Sequence, residues 1–350
     1  MTSPLTLVSN ISFHRRITLD TSHGPLTISY ADIGCPTGPA VLYIPGMFAS
    51  RYLGIPLHII AERAGVRLLV IDRPGMGASP DVPVSQRISV WVDIVPRLLA
   101  HLAIPRVTLV SHSAGTIYLL NTWAKCRELM SPVVIFLAPW VDAAHSRVTA
   151  MQAAQYIPAP AFSFWNAIPK FVITQATPAL GASAAAMRRM TMASGIGTNR
   201  SDEGGTFLDE NWRRMERDYG VPREEAAAMW GVASRFMFAE NTVGANGEAL
   251  QCLRKGDGGD WGVCSDYASG MRALAGLEMG RAEGERVTVR TYFSETDAMV
   301  GSRGQQYFEQ CWRAPEVEGV DFVCRTIEGT DHDAVAQSVE VWEEIFSLVR

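Results

Sequence analysis

No stretch of the 350 residues is apolar for long enough to cross a bilayer, and Met1 to Phe13 has no cationic start followed by an unbroken apolar run. Neither a membrane span nor a secretory leader is therefore expected. Basic runs are also missing and the net charge is −5, which argues against nucleic acid or an anionic membrane as a partner. The six cysteines, at positions 35, 126, 252, 264, 311 and 324, are scattered and contain no CxxC pair. Buried thiols are expected rather than a zinc site or a disulfide framework, with Cys252 and Cys264 the one pairing left open in an oxidising compartment. These absences point to a cytoplasmic protein with no metal and no cofactor, and they leave a homodimer open.

What the chain does have is apolar mass. Hydrophobic residues make up 47% and charged ones 19%, enough for a large core. At this length the chain is either one large α/β unit with an insertion or two domains.

Residues 11–20 and 25–33 alternate apolar and polar side chains around the turn His23-Gly24-Pro25, which predicts an opening hairpin. Continuous apolar runs follow at 40–44, 68–71, 107–110 and 133–137. Such runs suit strands buried on both faces of a parallel sheet, and the helical spacing at 50–64 and 84–103 supplies crossovers. Pro96 should kink or break the second of these helices. From Pro139 to about Gly284 the texture changes to Ala, Met, Trp and Phe with no convincing strand. Helices are suggested there at 145–156, 162–176, 184–193, 207–218, 222–238 and 265–279, with loops at 194–205 and 243–260. Strand and helix alternation then resumes through strands 286–293 and 320–327 to a last helix at 333–349. The insertion thus interrupts one doubly wound α/β domain.

Between the run 107–110 and the helical pattern from Thr116 stands Ser111-His112-Ser113-Ala114-Gly115. A strand, a sharp turn and a helix, with small residues two before and two after the centre, would lift the side chain of Ser113 at the carboxyl edge of the sheet. A serine hydroxyl needs a base, and the base needs a carboxylate to fix its tautomer. Of the seven histidines only His332 follows a late strand and precedes a helix. Asp297, on the loop after strand 286–293, is the candidate acid; Glu295 on the same loop and Asp142 after strand 133–137 remain alternatives. The backbone N–H of Ala114, at a helix start, and that of Met47, after Pro45-Gly46, are the candidate oxyanion donors.

These motifs resemble the α/β-hydrolase family. The elbow is similar to the family's small-x-Ser-x-small signature with Ser111 in place of glycine, Pro45-Gly46-Met47 to its His-Gly oxyanion loop with proline for histidine, and residues 72–79 to its DRPGxGxS segment. The resemblance covers residues 11–140 and 285–350. It implies an α/β-hydrolase fold with a mostly parallel doubly wound sheet, a core of residues 1–140 and 285–350, and a helical cap of residues 141–284. It also implies Ser113, Asp297 and His332 as nucleophile, acid and base. Serine at the elbow disfavours the epoxide hydrolase and dehalogenase branches.

Phe48, His112, Trp140, Trp165 and Met299 are the candidate pocket residues, and the cap aromatics Phe162, Phe164, Trp165, Phe171, Trp212, Trp230 and Phe236 a candidate apolar roof or simply the cap's own core. Residues 194–205 are a candidate lid segment. The function expected is hydrolysis of a carboxylic ester or lactone of a medium-sized apolar small molecule through an acyl enzyme on Ser113. The alternatives are carbon-carbon or thioester cleavage with the same triad, and a binding protein that kept the fold without turnover.

Overall fold

The computed structural model describes residues 3–167 and 206–350. Eight strands form one sheet in the order β1-β2-β4-β3-β5-β6-β7-β8, where β1 is Arg15–Thr21, β2 Gly24–Gly34, β3 Ala40–Ile44, β4 Arg67–Ile71, β5 Val107–His112, β6 Met130–Leu137, β7 Thr288–Ser294 and β8 Asp321–Ile327. The pairs β1/β2 and β2/β4 are antiparallel, and the rest are parallel.

Each central strand serves both faces because successive side chains alternate. Leu42, Ile44, Leu69, Ile71, Leu109, Val134 and Phe136 join the apolar cluster under helices Arg87–His101, Gly115–Cys126, Tyr267–Glu278 and Gly301–Trp312. Val41, Tyr43, Leu68, Val70, Val110, Ile135 and Leu137 face the other way, toward helices Ile55–Ala64, Arg223–Ala239 and Val339–Val349. A sheet buried on both faces explains why the four central runs carry no polar alternation. The chain winds from β3 out to β4 and then crosses back to β5 on the other side of β3. The crevice at such a reversal, at the carboxyl ends of the strands, is where this architecture places ligands.

Several expectations are revised. Residues Ile11–Phe13 form a 3-10 turn rather than strand, capped by the Asn10 side chain on the Ser12 N–H, because Phe13 is turned fully into the core. Helix Arg87–His101 runs unbroken through Pro96. Proline leaves the carbonyl four residues earlier without its usual donor, and here the Cys126 thiol takes that place, its Sγ 3.9 Å from the Val92 oxygen. The expected loop 243–260 contains the helix Gly244–Cys252. Its two glycines weaken the helical signal, but Gly244 sits where a Cβ would collide with the Pro74 carbonyl, so close backbone approach overrides propensity.

Between β6 and β7 the described residues form helices Ala143–Ser146, Thr149–Ala154, Phe207–Tyr219, Arg223–Ala239, Gly244–Cys252 and Tyr267–Glu278 and no strand. The expected helix 184–193, most of 162–176, Phe171 and the segment 194–205 lie outside the described residues. Ion pairs tie these helices to the sheet region: Arg51 with the half-buried Glu240, and, buried on both sides, Arg73 and Arg87 with Glu248 and Arg127 with Glu278. All six cysteines are free thiols, Cys252 and Cys264 among them and both buried; burial pushes the Cys264 thiol up to about 12. Among the described residues no helix is long and apolar enough to cross a membrane.

Candidate active site

Ser113 directly follows β5 with φ at 49°, a left-handed conformation that costs a non-glycine residue roughly 1–3 kcal/mol and persists only where the surroundings enforce it. Here they do. The Ser113 N–H donates to the Leu137 carbonyl at 3.1 Å, and the Ser113 carbonyl accepts from the N–H groups of Thr116 and Trp140 at 2.9 and 3.3 Å. Two residues on, a Cβ on Gly115 would fall well inside contact distance of the Ile44 carbonyl oxygen, so helix Gly115–Cys126 can start this close to β3 only with glycine. Ser111, the other small position, is fully buried between Ile44 and Phe136 of the neighbouring strands.

The strain aims the Ser113 hydroxyl at His332. Its Oγ lies 2.7 Å from His332 Nε2, and His332 Nδ1 lies 2.8 Å from Asp297 Oδ2. A carboxylate facing Nδ1 requires the proton there, which leaves Nε2 with the lone pair that accepts from Ser113. The other oxygen of Asp297, Oδ1, accepts from the backbone N–H groups of Met299 and Val300 at 2.9 and 2.8 Å, and Ser294 donates to Oδ2 at 3.2 Å. Burial works against the Asp297 charge, yet His332 and those N–H groups hold the carboxyl down at about 2. Burial likewise disfavours charge on His332, but the attraction of Asp297 and its hydrogen bond outweigh it, so its pKa is raised above 6.5.

The alternative carboxylates are spent elsewhere. Glu295 accepts from the Gly329 N–H at 2.8 Å, tying the loop of Asp297 to the loop of His332, and Thr296 N–H adds a bond to Thr330 O at 3.0 Å. Asp142 pairs with Arg254 and caps helix Ala143–Ser146. Neither makes a hydrogen bond to His332 among the described residues.

The loop after β3 passes directly over the elbow. A Cβ on Gly46 would lie 3.0 Å from His112 Nδ1 and 3.2 Å from Ser113 Cβ. Among the described residues neither the Met47 nor the Ala114 backbone N–H has a protein acceptor, and the second stands at the positive end of a helix. Both are thus available to a ligand oxygen.

The candidate pocket residues separate into two groups. Phe48, at φ 66°, brings its ring 6.5 Å from Trp165 and 6.1 Å from Phe238, and Met47 packs against the cluster of Phe162, Ala249 and Leu253. Trp165 and Met299 are half-buried. Trp140 and His112 instead have structural partners. The Trp140 indole donates to the Cys252 carbonyl at 3.2 Å and is 2% exposed, so its side chain is committed to the core. His112 donates from Nε2 to the backbone carbonyl of His332 at 2.8 Å; burial and the neighbouring His332 push its pKa down to about 4. Of the other expected roof aromatics, Trp212 and Trp230 line a small cavity against Pro56, Leu57 and Ile60 of helix Ile55–Ala64, and Phe164 is exposed. Phe236 packs on Tyr52 at 5.7 Å.

Sequence reasoning missed the support beneath the loop after β3. Arg73, fully buried just past β4, donates to the carbonyls of Pro45 at 2.5 Å and Gly46 at 2.7 Å and is paired with Glu248 at 2.5 Å. The DRPGMGAS segment was the only signal for it. Among the described residues one group of metal-type donors gathers, His112, His332 and Asp333; the Nε2 atoms of both imidazoles are already hydrogen-bonded within the protein.

A model of the α/β-hydrolase family matches residues 41–344. No curated protein matches the chain. Similar solved structures include a carboxylesterase of the ammonia-oxidizing thaumarchaeon Nitrososphaera gargenis, at 14% identity and TM-score 0.55 over 95% of this chain and 97% of that one. An enol-lactonase from Burkholderia xenovorans LB400 matches at 14% identity and TM-score 0.51 over 95% and 99%. The thioesterase domain from the curacin biosynthetic pathway matches at 12% and 0.51, also over 95% and 99%. At these identities the likeness is one of fold.

Proposed function

The chain belongs to the α/β-hydrolase family, and from that premise we propose that it is a cytoplasmic serine hydrolase cleaving a carboxylic ester or lactone of a medium-sized, mostly apolar molecule. The observation that carries this reading is the continuous chain of hydrogen bonds from Ser113 Oγ through His332 to Asp297, at 2.7 and 2.8 Å, hung on a strained elbow.

Ser113 Oγ attacks the carbonyl carbon while His332 Nε2 takes its proton. The imidazolium so formed faces Asp297, which stays ionised because its carboxyl is held at about 2. The carbonyl oxygen gains the negative charge and turns toward the N–H groups of Met47 and Ala114, which need not reorganise to receive it. Collapse expels the alkoxide, which takes the proton back from His332 and leaves an acyl enzyme. Water then enters, His332 removes its proton, and the same two N–H groups serve the second tetrahedral intermediate. Met47, Phe48, Phe162, Trp165 and Leu253 supply an apolar surface beside the loop, which supports an apolar acyl or alkyl group.

A fluorophosphonate probe tests this. It should label Ser113 in the folded protein, and the variant Ser113→Ala should lose both labelling and turnover across a panel of p-nitrophenyl esters and lactones. Undiminished ester hydrolysis in Ser113→Ala would end the proposal, and turnover of thioesters or 1,3-diketones in place of esters would move it to another bond.

A further inference from the structure

Met47 lies on a loop with no regular secondary structure to hold it, between the end of β3 and the turn at Arg51–Gly54. Two things hold the loop: its own turn, in which the Ala49 N–H donates to the Gly46 carbonyl at 3.2 Å, and a side chain from just past β4. The guanidinium of Arg73 meets two successive carbonyls, Nη1 on Pro45 O at 2.5 Å and Nη2 on Gly46 O at 2.7 Å. The Gly46 carbonyl and the Met47 N–H belong to one peptide plane, and in a trans peptide they point in opposite directions; among the described residues no peptide bond is cis. Fixing the oxygen on the Arg73 side therefore fixes the hydrogen on the other. A cation on the carbonyl oxygen also polarises that peptide and strengthens its N–H as a donor.

The guanidinium is itself clamped. Glu248, on helix Gly244–Cys252, takes Arg73 Nε at 2.5 Å and Nη2 at 3.0 Å, and the same carboxylate receives Arg87 Nη2 at 3.2 Å. Arg73, Arg87 and Glu248 are each buried completely. Arg87 donates further to the Tyr118 hydroxyl at 3.1 Å and to the Pro74 carbonyl at 2.8 Å. Two cations on one carboxylate in the interior are costly unless their donors find partners, and Arg73 directs one Nη1 and one Nη2 donor to the loop that carries Met47.

We propose that Arg73 is the positioning residue of the oxyanion loop, directing the Met47 N–H toward the reacting carbonyl, with Glu248 of the inserted helices as its brace. The proposal rests on the serine-hydrolase reading of Ser113. It makes the oxyanion donor dependent on a contact between the sheet domain and the insertion, through Arg73 and Glu248, and not on the loop alone.

The test uses the full chain as wild type, Arg73→Met and Arg73→Lys, with p-nitrophenyl butyrate as substrate and an alkyl trifluoromethyl ketone as a probe that forms a tetrahedral adduct on serine. Arg73→Met keeps the volume and leaves Glu248 paired with Arg87, so the carboxylate is not stranded. It should melt cooperatively yet lose about 30- to 300-fold in kcat, somewhat less than or equal to removal of an oxyanion donor, with KM nearly unchanged. Affinity for the ketone should fall in parallel with kcat. Arg73→Lys, which can reach one carbonyl but not two, should recover part of both. A folded Arg73→Met with kcat and ketone affinity within about threefold of wild type would overturn the proposal, as would a loss confined to KM. Should Arg73→Met not fold, Arg73→Lys alone decides by the same two readings. A wild-type protein that forms no ketone adduct and takes no fluorophosphonate is a failure of the serine-hydrolase reading itself and is distinguished by that control.

Discussion

Replacing Asp297 by asparagine separates the electrostatic part of the site from its packing. The carboxylate's Oδ1 accepts two backbone N–H groups, from Met299 and Val300, and an amide NH₂ placed there would face two donors. The asparagine oxygen must therefore take that position and its NH₂ must occupy the place of Oδ2, against His332 Nδ1. The imidazole then has to present a lone pair at Nδ1, which moves its proton to Nε2, pointing at Ser113 Oγ and unable to accept from it. Ser294, whose hydroxyl now donates to Oδ2 at 3.2 Å, can rotate to accept instead, so the fold is undisturbed. A base held in the wrong tautomer costs about 10⁴-fold in kcat, ~5 kcal/mol of barrier. Steady-state hydrolysis of a p-nitrophenyl ester should show that loss with a melting temperature close to wild type. Asp297→Ala, which strands the two N–H groups, should lose similar activity and also about 1–3 kcal/mol of stability. An Asp297→Asn protein within tenfold of wild-type kcat would refute the tautomer argument, and a comparable loss in Glu295→Gln with Asp297→Asn active would move the acid to the other residue.

Three further outcomes follow from the same geometry. Because His332 must be neutral to act as base and its pKa is raised above 6.5 by Asp297, kcat/KM should rise with pH through an apparent pKa above 6.5; a midpoint below that value contradicts the pairing. His112 is held neutral down to about 4, so the unfolded chain binds a proton that the folded one refuses between pH 6.5 and about 4. Stability should fall as pH drops through that window, and the fall should be shallower in His112→Asn, read by urea denaturation at stepped pH. Gly115→Ala places a Cβ against the Ile44 carbonyl and should cost more than about 3 kcal/mol or prevent folding; a thermal melt like that of wild type would show that β3 and the elbow helix have slack.

What could be read in the sequence was what is local in it. The four buried runs, the small residues around Ser113 and the loops carrying Asp297 and His332 each lie within a few positions of the strand that explains them. The loop position of Asp297 after its strand put it first as the acid, but what engages Glu295 and Asp142 elsewhere was not legible, because their partners Gly329 and Arg254 lie 34 and 112 positions away in the chain. Helix Gly244–Cys252 was hidden for a similar reason. Its glycines read as loop, while its position depends on Glu248 reaching Arg73 and Arg87 across 175 and 161 residues. Pro96 does not break its helix as the sequence allowed, and the thiol near the released carbonyl comes from Cys126, 34 positions from Val92 in the chain.

The claim on which the account depends is that Ser113 becomes covalently acylated in turnover. Acid-quenching the enzyme during hydrolysis of p-nitrophenyl butyrate and weighing the intact protein tests it directly. A species heavier by one butanoyl group is expected, mapping to the peptide that contains Ser113 and absent from Ser113→Ala. Sustained turnover with no acylated protein at any quench time, or acyl transfer to another residue at the full rate, would contradict it.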